Sequence, residues 1–332
     1  MRAAVYERTG PAREVLKVID VPTPLPGPGE LRVHLQWSGV NPSDVKSRAG
    51  MRTKTLAFPR IIPHSDGSGI IDEVGPGVPR ERVGEAVWVW NAAWQRPFGT
   101  AAEYVVLPAR QAVPLPAGTD PAAGACLGIP ALTAYHSVRV DGGVKGKRVL
   151  VAGGAGAVGQ YAIQFAKLAG AAQILATVSS AEKAAVAKEA GADAAIDYKT
   201  EDVVARVKEL TGGDGVDRVI EVDIAGNMNL DHQIVRPDGE IVVYGSNAGD
   251  ITVPFFPMIV KNIGMKFFIV YNLSPADREQ EIRDLTGMLA KNVLVHNIAA
   301  RVPFEKIAEA HEMVEQGKTV GNVVVAVGPV WG

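Results

Sequence analysis

The chain has 332 residues, 47% hydrophobic and 21% charged, with a formal net charge of -2, enough for one large or two ordinary domains with well-buried cores and too balanced to suggest a nucleic-acid-binding surface. Its one cysteine, Cys126, excludes an intrachain disulfide and a multi-cysteine metal cluster. No apolar run reaches the ~20 residues of a membrane span and "MRAAVYERTG" lacks a signal-peptide core, so a soluble cytoplasmic protein is expected.

The first third is crowded with turn residues, as in "VPTPLPGPGE", "EVGPGVP" and "VPLPAGTDP". Between them lie "LRVHLQWSGV", "SGIIDEV", "EAVWVW" and "AEYVVL". Short alternating strands at this spacing predict an all-β barrel or sandwich. From Gly146 the texture changes to compact apolar runs, "KRVLVAG", "QILATV", "AAIDY", "VDRVIEV" and "GEIVVYG", separated by helical patterns such as "SAEKAAVAKEAGA" and "EDVVARVKELTGG". That alternation predicts βαβ units and a parallel sheet. The end is mixed: a strand "MKFFIVY", helices over "DREQEIRDLTGMLAKN" and "FEKIAEAHEMVEQG", and a last strand "NVVVAV". In the simplest architecture the tail rejoins the N-terminal β domain and the α/β domain is inserted.

The segment "VAGGAGAVGQ" (151–160) joins a predicted strand to a predicted helix, with Gly154, Gly156 and Gly159 spelling G-x-G-x-x-G. Glycines there permit a tight turn, let backbone N–H groups approach a pyrophosphate, and pack helix on strand. The helix start adds unpaired donors and partial positive charge. A site for NAD expects an acid at the end of the next strand. This chain instead has Thr177, Val178, Ser179 and Ser180, with Lys183 following and Glu182 only in the helix. Hydroxyls and a cation suit a 2′-phosphate, so NADPH is the expected cofactor.

The histidines (34, 64, 136, 232, 296, 311) show no pair at ligand spacing. His64 and Asp66 in "IIPHSDGSG" do not make a metal site by themselves, and His64 reads as a turn histidine. No G-x-S-x-G is present, and Cys126 sits in the apolar "AAGACLGIP". Hydride transfer to an electrophilic acceptor needs neither metal nor nucleophile, because the cofactor carries the chemistry.

Nearly end to end the chain resembles a quinone oxidoreductase of the zeta-crystallin type, within the medium-chain dehydrogenase/reductase superfamily. The resemblance rests on "GVNPSDVKSRAG" (39–50), "IIPHSDGSGIIDEVGPGV" (61–78), "LGIPALTAYHSV" (127–138), "GKRVLVAGGAGAVGQYAIQFAKLAGA" (146–171), "EAGADAAIDY" (189–198) and "KTVGNVVVAV" (318–327). It implies a Rossmann parallel-sheet domain (125–263) inserted into a GroES-like β-barrel domain (1–124 and 264–332). Zinc alcohol dehydrogenases of that superfamily carry a Cys at the place of Asn41 and a His at the place of Ser65, so the resemblance implies a zinc-free enzyme.

Carried over residue by residue, Asn41 lies by the nicotinamide in the interdomain cleft, with Thr133 near it. Ala155, Gly156, Ala157 and Val158 wrap the pyrophosphate, and Ser179, Lys183 and Tyr198 surround the 2′-phosphate. Tyr244, Gly245, Ser246, Asn247, Val270 and Tyr271 line the nicotinamide ribose and carboxamide. Two positions depart from the family: Ala157 replaces the second of a glycine pair, and Lys46 replaces a tyrosine. Asn41 and Lys46 are therefore the candidate catalytic residues. The implied activity is NADPH-dependent hydride transfer to a quinone. The alternatives are reduction of an alkenal, enone or enoyl thioester, the last suggested by the cations of "MRTKTLAFPR", and a non-catalytic NADPH- or RNA-binding role. The apolar stretch "GDITVPFFPMIVKNIGMKFFIVYN" (249–272) predicts an exposed sheet edge and a homodimer paired across it.

Overall fold

A computed structural model describes residues 1–317 and 319–329. The chain forms two compact units, one from Met1–Pro130 with the chain from Ile282 onward, the other Ala131–Glu281.

The first unit begins with strands β1 (Arg2–Val5), β2 (Lys17–Asp20), β3 (Glu30–Val40), β4 (Asp66–Val74), β5 (Ala86–Val89), β6 (Tyr104–Pro108) and β7 (Ala112–Pro114). β3 organises it. Leu31, Val33 and Leu35 alternate along the strand and are fully buried, as a strand with one face on a core requires. They join Val5, Ile71, Val87, Val105 and Leu107 in one cluster. β3 pairs antiparallel with β4 and β6.

The second unit contains β8 (Arg148–Val151), β9 (Gln173–Val178), β10 (Ala194–Asp197), β11 (Val216–Glu221), β12 (Val235–Val243) and β13 (Gly264–Phe267). Its sheet runs β10-β9-β8-β11-β12-β13, with every pairing parallel. Counting from β8, this is the 3-2-1-4-5-6 order of the Rossmann fold. The compact runs read as strands are buried, with Leu150, Leu175, Val219 and Ile241 at most 1% exposed. β11 also carries the fully buried Arg218. Its guanidinium donates to Ser137 O at 3.0 Å, Val138 O at 2.8 Å and Val140 O at 2.7 Å, closing the C-terminus of helix Leu132–Arg139. Glu240 at 2.7 Å compensates the charge.

The tail returns to the first unit through β14 (Ile298–Pro303) and β15 (Asn322–Ala326). β15 pairs antiparallel with β3, Val323 opposite Val40, and completes a seven-stranded sheet.

The expected boundary at 263/264 is displaced. β13 pairs with β12, Phe267 opposite Val243, so the chain up to Glu281 stays with the parallel sheet. "MKFFIVY" is not one strand: pairing stops at Phe267, and Val270–Asn272 is a 3-10 turn. β14 was not anticipated, because "IAARVP" is short and half exposed.

Candidate functional site

In the second unit, β8 runs into the glycine loop and then helix Ala157–Leu168, whose N-cap is Gly156. Gly154 has no room for a side chain, since a Cβ would come 2.6 Å from Ala176 Cβ. A Cβ on Gly159 would come 2.2 Å from Gly153 O, which is how the helix packs onto the loop. A Cβ on Gly156 would meet, beyond its own chain neighbours and among the described residues, only Gly153 O within 4 Å, at 3.2 Å. The open face of Gly156 therefore suits close approach by a ligand, while the other two glycines answer to packing. Ala155 is buried, and Ala157 and Val158 open the helix with no acid in its first turn, leaving the N-terminal donors to an anion.

At the end of β9, Ser180 caps helix Ala181–Ala190 by accepting from Lys183 N at 3.3 Å. Lys183 Nζ reaches back to Ser179 Oγ at 3.1 Å. The two residues form a hydroxyl–cation pair beside the glycine loop, where Thr177 Oγ1 accepts from Gly153 N at 3.2 Å. Tyr198 follows β10, half exposed, with its N–H on Val178 O at 3.0 Å.

Tyr244 to Asn247 leave the C-terminal end of β12 and are moored to the end of β11. Tyr244 N donates to Glu221 O at 3.1 Å, and Asn247 donates to Asp223 from N at 2.7 Å and Nδ2 at 2.8 Å. A Cβ on Gly245 would come 2.2 Å from Val222 O. Ser246 Oγ turns to Ala248 O at 2.8 Å. Burial pushes the Tyr244 hydroxyl well above its usual range. Helix Leu132–Arg139, carrying buried Thr133, packs against the turn holding Val270 and Tyr271. Every expected residue of this unit thus lies at the C-terminal end of the sheet, or on elements packed there, where an open parallel sheet binds ligands.

Beneath Tyr244 lies a feature the sequence hides. Glu221 and Asp231 are fully buried, and Glu221 Oε2 and both Asp231 carboxylate oxygens meet no N–H or hydroxyl donor among the described residues. Asn227 Nδ2 and the Asp223 amide serve the other Glu221 oxygen. Burial raises both acids; Glu221 raises Asp231 further, whereas the hydrogen bond from Asp231 lowers Glu221, so Asp231 is the member that holds a proton more strongly.

In the first unit, Asn41 directly follows β3 and caps helix Pro42–Arg48. Its N–H donates to Asp44 Oδ2 at 2.8 Å, and its side-chain amide donates to Asp66 Oδ2 at 2.9 Å. Ile129 N adds a second donor to that Asp66 oxygen at 3.0 Å. Burial pushes the Asp44 carboxyl up to about 7. Lys46 is half-buried in the last turn of the same helix, five positions beyond Asn41 in sequence. Asp66 is fully buried, and glycine at 128 clears its space: a Cβ there would come 2.3 Å from Asp66 Oδ1. His64 is likewise buried rather than a surface turn residue. Among the described residues no three His, Cys, Asp or Glu side chains are grouped to hold a metal.

A parallel sheet with a glycine loop at its first βα turn, inserted into a β-rich unit, defines a two-domain Rossmann protein. Residues 27–117 match the family model for an alcohol dehydrogenase GroES-like domain, and residues 157–291 match that for a zinc-binding dehydrogenase. A quinone oxidoreductase of Rattus norvegicus is 30% identical, over 98% of this chain and 97% of the relative. A 2-haloacrylate reductase of Burkholderia is 28% identical over 98% of each. A solved NAD-dependent alcohol dehydrogenase superposes with a TM-score of 0.90 at 31% identity, over 99% of this chain and 100% of that one. The Escherichia coli quinone oxidoreductase complexed with NADPH does so at 0.87 and 26%, over 98% and 100%. The chain belongs to the medium-chain dehydrogenase/reductase family of oxidoreductases, with a GroES-like domain and an inserted Rossmann domain, and resembles its zeta-crystallin-like quinone oxidoreductases.

Proposed function

We propose that the protein is an NADPH-dependent, zinc-independent reductase that reduces a quinone and works as a cytoplasmic homodimer. The observation that carries the cofactor is the Ser179–Lys183 pair at the end of β9, 3.1 Å apart, where an NAD site would place an acid. The residues fit the whole dinucleotide. Ala155, Ala157 and Val158 supply backbone donors for the pyrophosphate, Gly156, whose own N–H donates to Gly153 O at 2.9 Å, allows its close approach, and Ser179, Lys183 and Tyr198 take the 2′-phosphate. Tyr244 to Asn247, Val270, Tyr271 and Thr133 hold the nicotinamide end. The bound dihydronicotinamide supplies the hydride.

The protein's own share is positioning and charge stabilisation. Asn41, aimed by Asp66, and Lys46 stabilise the charge that develops on the acceptor oxygen, and water delivers the proton. Quinone is the favoured acceptor because full-length relatives at about this similarity are quinone oxidoreductases. A conjugated carbonyl is the second reading, favoured by the 2-haloacrylate reductase relative and by the cation of Lys46 where the family has tyrosine.

Parallel assays with 1,4-naphthoquinone, crotonaldehyde and crotonyl-CoA at fixed NADPH decide between them, the quinone being expected to turn over fastest. Prolonged EDTA treatment leaves that rate unchanged, because Asn41 and Ser65 cannot replace Cys and His as zinc ligands. Binding of NADPH with reduction of no acceptor would point to a non-catalytic role instead.

A further inference from the structure

Four side chains in the first unit form a buried line that none of the roles above uses: Thr100, Ser38 on β3, His64 just before β4, and His311 on helix Ile307–Glu315. The direction of every bond in it follows from one end. Thr100 Oγ1 donates to Asp66 O at 2.5 Å, a carbonyl that can only accept, so the single threonine proton is committed. The 2.8 Å contact between Ser38 Oγ and Thr100 Oγ1 therefore has Ser38 as donor. With its own proton used, Ser38 accepts from His64 Nδ1 at 2.8 Å, which makes that nitrogen the protonated one. Burial pushes His64 down to about 3, so its ring is neutral and Nε2 is bare. The 2.9 Å contact between His64 Nε2 and His311 Nε2 then requires His311 to donate. At the far end His311 Nδ1 is bare. Burial, His64 and the Arg48 guanidinium, itself held by Glu315 at 3.0 Å, all oppose a proton there.

His64 also has a φ of 76°, a left-handed conformation that costs a non-glycine residue energy. The two ring bonds, with Thr100 N on His64 O at 2.9 Å, hold it there. The segment so held leads straight into Asp66, whose carboxylate receives the Asn41 amide.

We propose that Thr100, Ser38, His64 and His311 are positioning residues: a one-directional hydrogen-bond chain that fixes Asp66 and, through it, the Asn41 amide. The proposal rests on the reading that Asn41 faces the acceptor.

The test has one arm that reads no turnover. Long-range proton–nitrogen correlation on histidine-labelled protein shows His64 protonated at Nδ1 and His311 at Nε2, both neutral at neutral pH. Thr100→Val leaves the Ser38 proton free to turn to His64 Nδ1, so both histidines exchange tautomers. In the same variant kcat with naphthoquinone falls roughly tenfold while NADPH affinity is unchanged, since misplacement and not cofactor loss is responsible. Thr100→Ser restores both tautomers and kcat. His64→Gly, which suits the backbone conformation, breaks the chain in the middle and lowers kcat in the same way. Opposite tautomers or a charged ring in the unmutated protein overturn the chain. Exchanged tautomers with unchanged kcat overturn its positioning role and leave the functional reading intact. Failure of the unmutated protein to reduce any acceptor overturns the functional reading, and the positioning role with it, whatever the tautomers.

Discussion

Lys183 reaches back one helical turn to Ser179, so its charge is aimed at the end of β9 before any ligand arrives. A phosphate placed there gains a charge-assisted contact that a bare ribose hydroxyl cannot make. NADPH is accordingly expected to bind at least about tenfold more tightly than NADH, about 1.4 kcal/mol. Lys183→Ala should remove most of that difference and leave NADH affinity nearly unchanged, as fluorescence titration of the two cofactors would report. Equal affinities in the unmutated protein would sink the assignment. The glycine loop and Lys183 were legible in the sequence because their geometry is local: a strand, a tight turn and a helix start fix it within about thirty residues. Asp66 and the histidine chain were not, because His64 and His311 meet across 247 positions and no short pattern encodes such a meeting. An aspartate between turn residues reads as exposed. Only the glycine at 128, which clears the space for Asp66, hinted otherwise, and it signals that only once the fold is known.

At the scale of elements, the βαβ half was readable almost strand by strand, because a strand buried on both faces shows as a compact apolar run. The reading failed where tertiary pairing sets the end of an element. The sheet needed only Gly264–Phe267 from "MKFFIVY", and the rest of that run turned into a 3-10 corner. The junction between strand β11 and helix Ile224–Ile234 carries the Glu221–Asp231 pair and its own prediction. A carboxyl whose folded pKa is raised contributes stability that is full below its unfolded pKa, about 4, and is lost as pH rises through the folded one. For Asp231 that upper limit is about 9. Asp231→Asn keeps the neutral form at every pH, so its stability relative to the unmutated protein should climb across this window. Urea midpoints measured at a series of pH values check it, and a constant difference between the two proteins would refute the raised Asp231 carboxyl.

For the whole molecule, assembly and the path of the chain matter most. β13 ends the parallel sheet, and close to it in sequence Phe255, Phe256, Val260 and Phe267 are all more than half exposed. An unpaired edge of this kind invites a second copy related by a two-fold axis. Light scattering is therefore expected to report about twice the 35.0 kDa chain mass. Phe267→Lys should yield monomers, and a monomer at micromolar concentration in the unaltered protein would remove this edge as the interface. The return of β15 to β3 has a consequence for synthesis. Val40 leaves the ribosome long before its partner Val323 has been translated, so the first domain begun is the last one finished. Residues 131–281 are contiguous and can close around their own core while the N-terminal strands wait with an open margin, the period when an unpaired strand is most prone to stray association. Nascent chains arrested once residue 281 has cleared the ribosomal exit tunnel, but before β15 has, should thus resist protease across the middle of the sequence while still yielding fragments from its beginning. A premature stop near the C-terminus would damage the part of the protein that was made first.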